Sequence, residues 1–177
     1  MKTTVLALVL MIAGSATVRA AEQTFSDWTV DVSTDKERIY AATTNDSGSV
    51  LGEFCDLSTH KCSWLLAMDV ACKDSVDLPI LGNTASGAVQ LNLTCGGRVD
   101  AGDAYQYYFS NWKDVELLLK DSSLVGFAFP MKGGQFKVSR FSLTGRTDAV
   151  ALAESVALTQ PATPPKPVQT GTGDTTL

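Results

Sequence analysis

The sequence predicts a mainly β protein: an antiparallel β-sandwich or partly closed barrel with two short helices in the C-terminal half. Three observations carry this. Short runs between Trp28 and Cys95 alternate apolar and polar residues at a period of two. Turn-forming clusters such as Asn45-Asp46-Ser47-Gly48 and Gly96-Gly97 punctuate them. The apolar spacing then turns helical near Trp112 and again near Ala149.

Taken in order, Trp28, Val30 and Val32 alternate with Thr29, Asp31 and Ser33 and give a first strand. Ile39 to Thr44, rich in β-branched residues, gives a second. Val50 to Cys55 and Cys62 to Val70 read as a hairpin, the latter with Cys62, Trp64, Leu66, Met68 and Val70 on one face. Val76 to Leu81 is apolar but contains Pro79, which predicts an edge strand. Val89 to Cys95 alternates cleanly and is expected to stop at Gly96-Gly97.

Trp112, Val115, Leu118 and Leu119 recur at helical spacing behind a Ser110 or Asn111 cap. A strand Leu124 to Pro130, a Lys132-Gly133-Gly134 turn and a strand Phe136 to Leu143 follow. The last strand carries a phase fault: Phe136 and Val138 share one phase, Phe141 and Leu143 the other. A bulge near Ser139-Arg140 would reconcile them. A final helix presents Ala149, Leu152, Ala153, Val156 and Ala157, with Thr147 as its cap. The chain has no internal repeat.

Both ends read as separable. Residues 1–20 have Lys2 ahead of an apolar run, Val5 to Ala13, too short to span a bilayer. Val18-Arg19-Ala20 then offers an export-signal cleavage site after Ala20, with Ala21 as the alternative. Residues 159–177 are rich in Pro, Thr and Gly and predict a disordered tail. Residues 21–158 remain as one β-rich domain, long enough for a real core. No later segment is apolar enough to span a membrane. Removing residues 1–20 takes two of the 14 Lys and Arg and none of the 19 acids, leaving 12 against 19, or −7. That balance, with no basic cluster, argues against nucleic acid as a partner.

Four cysteines behind an export signal, Cys55, Cys62, Cys72 and Cys95, predict two disulfides. No pair forms a CxxC and His60 is the only histidine, so metal binding is not expected. An extended strand from Cys62 to Cys72 would hold them roughly 30 Å apart, which excludes that pairing. Cys55–Cys62 with Cys72–Cys95 is the simplest solution; Cys55–Cys72 with Cys62–Cys95 is the rival.

Catalytic patterns are missing. There is no GxSxG, Walker loop, HExxH or GxGxxG, and the three SxxK matches lack any accompanying motif. Asp100 and Asp103 sit in a Gly-containing loop and read as solvated turn residues. The sequon matches at Asn45 and Asn92 read as chance. Two stretches are candidate binding surface. Tyr105 to Phe109 with Trp112 is the densest aromatic cluster, and Tyr107, Tyr108 and Trp112 could anchor a partner. The favoured reading sends Tyr105, Tyr107 and Phe109 into the core instead. The Lys132, Gly133 and Gly134 tip is the other.

The order of features resembles the invasion-associated locus B family of exported bacterial proteins. The resemblance rests on Ser26-Asp27-Trp28-Thr29-Val30, the mid-chain cysteines, and the stretch Phe141 to Val150, where a strand ends in Ser-Leu-Thr-Gly before an Ala-rich helix. The family carries a cysteine soon after the early Trp; here that stretch is Asp31-Val32-Ser33, so the disulfide pattern differs. The resemblance implies a largely β, periplasmic or outer-membrane-associated protein, linked in some bacteria to host-cell colonisation, with no catalytic residues to carry over.

Together these readings predict a non-catalytic exported envelope protein, without cofactor or metal, that binds an unknown protein or envelope component. An alternative is an inhibitor of an envelope-targeting enzyme such as a lysozyme, with the Lys132-Gly133-Gly134 tip as its inserting loop. A third class, an enzyme, would need a deep pocket holding two carboxylates.

Overall fold

The computed structural model describes residues 22–99 and 102–159. The predicted export signal, most of the predicted tail and Asp100 lie outside the described residues. Ten strands form one antiparallel sheet. They are β1 (Gln23–Phe25), β2 (Trp28–Val32), β3 (Arg38–Thr44), β4 (Val50–Asp56), β5 (Cys62–Met68), β6 (Asp77–Thr84), β7 (Gly87–Arg98), β8 (Tyr105–Phe109), β9 (Leu124–Pro130) and β10 (Phe136–Ser142). Helix α1 (Trp112–Leu119) follows β8 and α2 (Arg146–Thr159) follows β10. The spatial order is β1-β2-β3-β4-β5-β8-β7-β6-β9-β10.

The sheet folds over its own apolar face. Ring pairs Tyr107–Phe129 at 5.6 Å, Phe109–Phe127 at 5.4 Å and Phe127–Phe141 at 6.2 Å join β8 to β9 and β9 to β10 through the interior. Trp28 and Trp64 meet edge to face at 6.0 Å on the β2–β5 half. The sheet does not close into a barrel, since β1 and β10 share no ladder. One corner is bridged instead: Trp28 Nε1 donates to the Ser142 carbonyl at 3.0 Å, and the Asp27 amide donates to the Thr144 carbonyl at 3.3 Å. Helix α2 lays Ala149, Val150, Ala153 and Ala157 against β2, β3 and β4, its small residues allowing close approach.

Both disulfides pair as the simplest solution required. Cys55 and Cys62 are directly opposite in the β4–β5 ladder, with Cα atoms 3.9 Å apart. Cys72 and Cys95 join a loop to β7 across 6.1 Å. The turn between Cys55 and Cys62 is shaped by Asp56, whose carboxylate accepts from the Ser58 and Thr59 amides at 2.9 and 2.7 Å. Asn111 caps α1, accepting from the Lys113 amide.

Four local expectations are corrected. The strand around Pro79 is interior, lying between β7 and β9. Its ladder with β9 covers only Leu81 to Asn83, so Pro79 sits where no donor is needed on that side. Continuing that register sets Pro79 opposite Pro130, the residue that ends β9. Strand β7 runs past Gly96-Gly97 to Arg98, and the register shift falls there, between Cys95 and Arg98, with Gly97 at φ +88°. Strand β10 has no bulge: its pairing with β9 is unbroken from Phe136 to Ser142. Helix α2 starts at Arg146, so Thr147 lies in the first turn and does not cap it, and the helix takes in Thr159 from the predicted tail.

Candidate functional site

Two places hold groups whose surroundings are unusual. The first is interior. Glu53 is on the inward face of β4, opposite Ala41 and Trp64, and only 4% exposed. One of its carboxylate oxygens, Oε2, has no hydrogen-bond partner. Burial, then the negative charges of Glu154 and Glu116, push its pKa up to about 8, with Arg146 opposing. Beside it Trp64 Nε1 donates to Glu116 Oε1 at 2.8 Å and Arg146 Nη1 reaches Glu116 Oε2 at 3.1 Å. This ties β5, α1 and α2 into one polar knot beside Glu53 of β4. A neutral, buried carboxyl beside an ion pair is a group that could hold a proton for chemistry. Acid–base work also requires substrate access. Four surface grooves among the described residues are lined by other residues.

The second place is the outward face of β6, β9 and β10. Antiparallel register sets Leu81, Ala128 and Val138 in one row across the three strands. Asn83, Gly126 and Arg140 form the next row, and Phe136 stands opposite Pro130. Phe136 is 65% exposed, and Leu81, Leu124, Met131 and Val138 are exposed beside it. Gly126 and Ala128 floor a groove of about 590 Å³ between Leu124, Val138 and Arg140. Such an uncovered apolar face differs from singly scattered apolar residues, which need no explanation.

The phase fault in β10 is the signal of this face. The strand is regular and apolar on both sides: Ser139 and Phe141 point into the core, Phe136 and Val138 outward. A bulge would have buried both sets; without one, Phe136 and Val138 remain on the surface. Leu81, Leu124, Ala128, Phe136, Val138 and Arg140 were not singled out by sequence as surface residues, because residues from β6 and β9 join the face only through strand order.

The sequence-derived candidates divide. Tyr107 is fully buried and its hydroxyl donates to the Val70 carbonyl at 2.5 Å, as the core reading expects. Tyr108 faces outward from β8, its ring covering Gly96 and its hydroxyl donating to Gln106 Oε1. Trp112 opens α1 and is 53% exposed, away from the buried Val115, Leu118 and Leu119. Lys132, Gly133 and Gly134 form the exposed tip of the β9–β10 hairpin and adjoin the apolar face. Strands β7 and β6 separate β8 from that hairpin, so the aromatic cluster and the tip make no single surface. Asp103 pairs with Arg98 at the surface. Among the described residues, no cluster of His, Cys, Asp and Glu has a metal-holding arrangement, and no helix is long and apolar enough to cross a membrane.

No family model matches the chain, and no curated protein matches it in sequence. Among solved structures, invasion associated protein B from Bartonella henselae superposes with a TM-score of 0.55. The match covers 77% of this chain and 98% of that one at 14% identity. The likeness is remote and is one of fold.

Proposed function

We propose that the chain is a non-catalytic exported envelope protein that binds a partner through the outward face of β6, β9 and β10. The observation that carries this is the apolar face itself, Leu81, Leu124, Phe136 and Val138 around a floor of Gly126 and Ala128. Two disulfides on a small β scaffold suit an oxidising compartment, and a sequence start of export-signal type supports the periplasm or beyond. The fold likeness to invasion associated protein B fits a role in host-cell association. Glu53 and its neighbours are read as structural.

Inhibition of a basic enzyme such as a lysozyme is the weaker reading, because the hairpin that would insert carries Lys132 and Arg140 and no acid. The test is recovery of envelope components on immobilised wild-type protein and on a Phe136→Ser, Val138→Ser variant. Specific recovery by the wild type and its loss in the variant is the expected result. Equal recovery by both, or a reproducible turnover abolished by one polar substitution, would overturn the reading.

A further inference from the structure

We propose that the partner of this face is an anionic lipid surface; the proposal rests on the face being the binding surface. Its ground is a local reversal of charge. The chain carries 19 acidic residues and a net charge of −5, yet from Ser122 to Thr147 it has no Asp or Glu. The same stretch carries Lys132, Lys137, Arg140 and Arg146. Two of these are committed within the fold, Lys137 to Asp69 and Arg146 to Glu116. Among the described residues, Lys132 and Arg140 have no carboxylate partner. They stand at the hairpin tip and at the edge of the apolar groove.

The apolar groups are placed to enter an interface. Met131 and Phe136 flank the tip and are exposed, and Gly133 and Gly134 between them, both at positive φ, add no side-chain bulk. A hairpin with apolar flanks and cations behind them matches interfacial docking, where side chains enter the acyl boundary and Lys or Arg pairs with anionic headgroups. The groove floored by Gly126 and Ala128 leads from the tip side toward Arg140, giving an acyl segment an apolar bed with a cation at its edge. A protein partner could use the apolar face, but it does not explain why Lys132 and Arg140 stand without carboxylate partners in an acid-free stretch; the exposed Asp77 at the start of β6 accepts instead from Thr94 Oγ1 at 2.7 Å.

The test is co-flotation of the exported protein with phosphatidylcholine vesicles prepared with and without phosphatidylglycerol. Binding is expected only to the anionic vesicles, and it weakens as salt rises. Lys132→Gln and Arg140→Gln should each cut it about fivefold, and Phe136→Ser should reduce it further. Lys36→Gln, in the remote β2–β3 turn, should leave it unchanged. Circular dichroism and thermal unfolding confirm that each variant is folded; all four positions are on the surface. No binding, equal binding to both vesicle types, or indifference to Lys132 and Arg140 overturns the lipid proposal. If vesicles fail while the Phe136→Ser, Val138→Ser variant still loses an envelope protein, the partner is that protein and the binding-face reading stands. If neither assay depends on the face, both fall.

Discussion

Glu53→Gln tests the buried knot through its pH dependence. An unfolded glutamate titrates near 4.5, while burial and two neighbouring carboxylates raise Glu53 to about 8 in the folded chain. The folded state therefore holds a proton that the unfolded state has released. Its contribution is full below about pH 4.5 and is lost progressively as pH rises toward 8. At about 1.4 kcal/mol per pH unit, the wild type should lose about 3 kcal/mol from this group between pH 5 and 7.5. Glutamine has nearly the same shape and no proton to release. It also brings two N–H donors, of which one left unsatisfied costs about 1–3 kcal/mol at every pH. The absolute stability of the variant is therefore less informative than its slope. Urea unfolding of both proteins at intervals from pH 5 to 8 should show the difference growing in the variant's favour by about 3 kcal/mol. Parallel profiles would refute a protonated Glu53 and with it the sealed knot beneath α2.

Other substitutions probe the scaffold and the rejected surface. Replacing Cys72 and Cys95 together by Ala should lower stability by about 3 kcal/mol by urea unfolding, and non-reducing peptide mapping of the wild type should recover Cys55–Cys62 and Cys72–Cys95. Gly145→Ala should cost about 3 kcal/mol or prevent folding, because Gly145 has φ +91° and a Cβ there would strike the Phe25 carbonyl. Trp112→Ser should change stability by no more than about 0.5 kcal/mol and leave envelope binding intact, since Trp112 lies outside the apolar face; lost binding would move the site to α1.

The disulfides and most strands were legible because they depend on local spacing. The alternation from Cys62 to Met68 and the short turn after Cys55 contain the pairing geometry in one stretch of chain. Two of the failures depended on strand order. Pro79 suggests an edge on propensity, but its ladder with β9 stops before reaching it, so an interior strand tolerates it. Phe136 and Val138 appear misphased only if each strand must be apolar on one face. Their outward setting becomes a feature once β6 and β9 supply Leu81, Ala128 and Leu124 alongside. Glu53 gave no sequence signal, because the charges around it, Glu116, Arg146 and Glu154, lie over 60 residues further along the chain. Tyr107 and Tyr108 show the converse: one aromatic cluster is split by period two between core and surface.

Binding of an envelope component by the outward face of β6, β9 and β10 can be read directly in the cell. A photoreactive amino acid placed at Phe136, and separately at Phe54 on the outward side of β4, tests it in intact cells exporting the protein. Crosslinks to an envelope component should form from position 136 and not from position 54. Crosslinks from position 54 alone, or from neither while the protein remains folded, would contradict it.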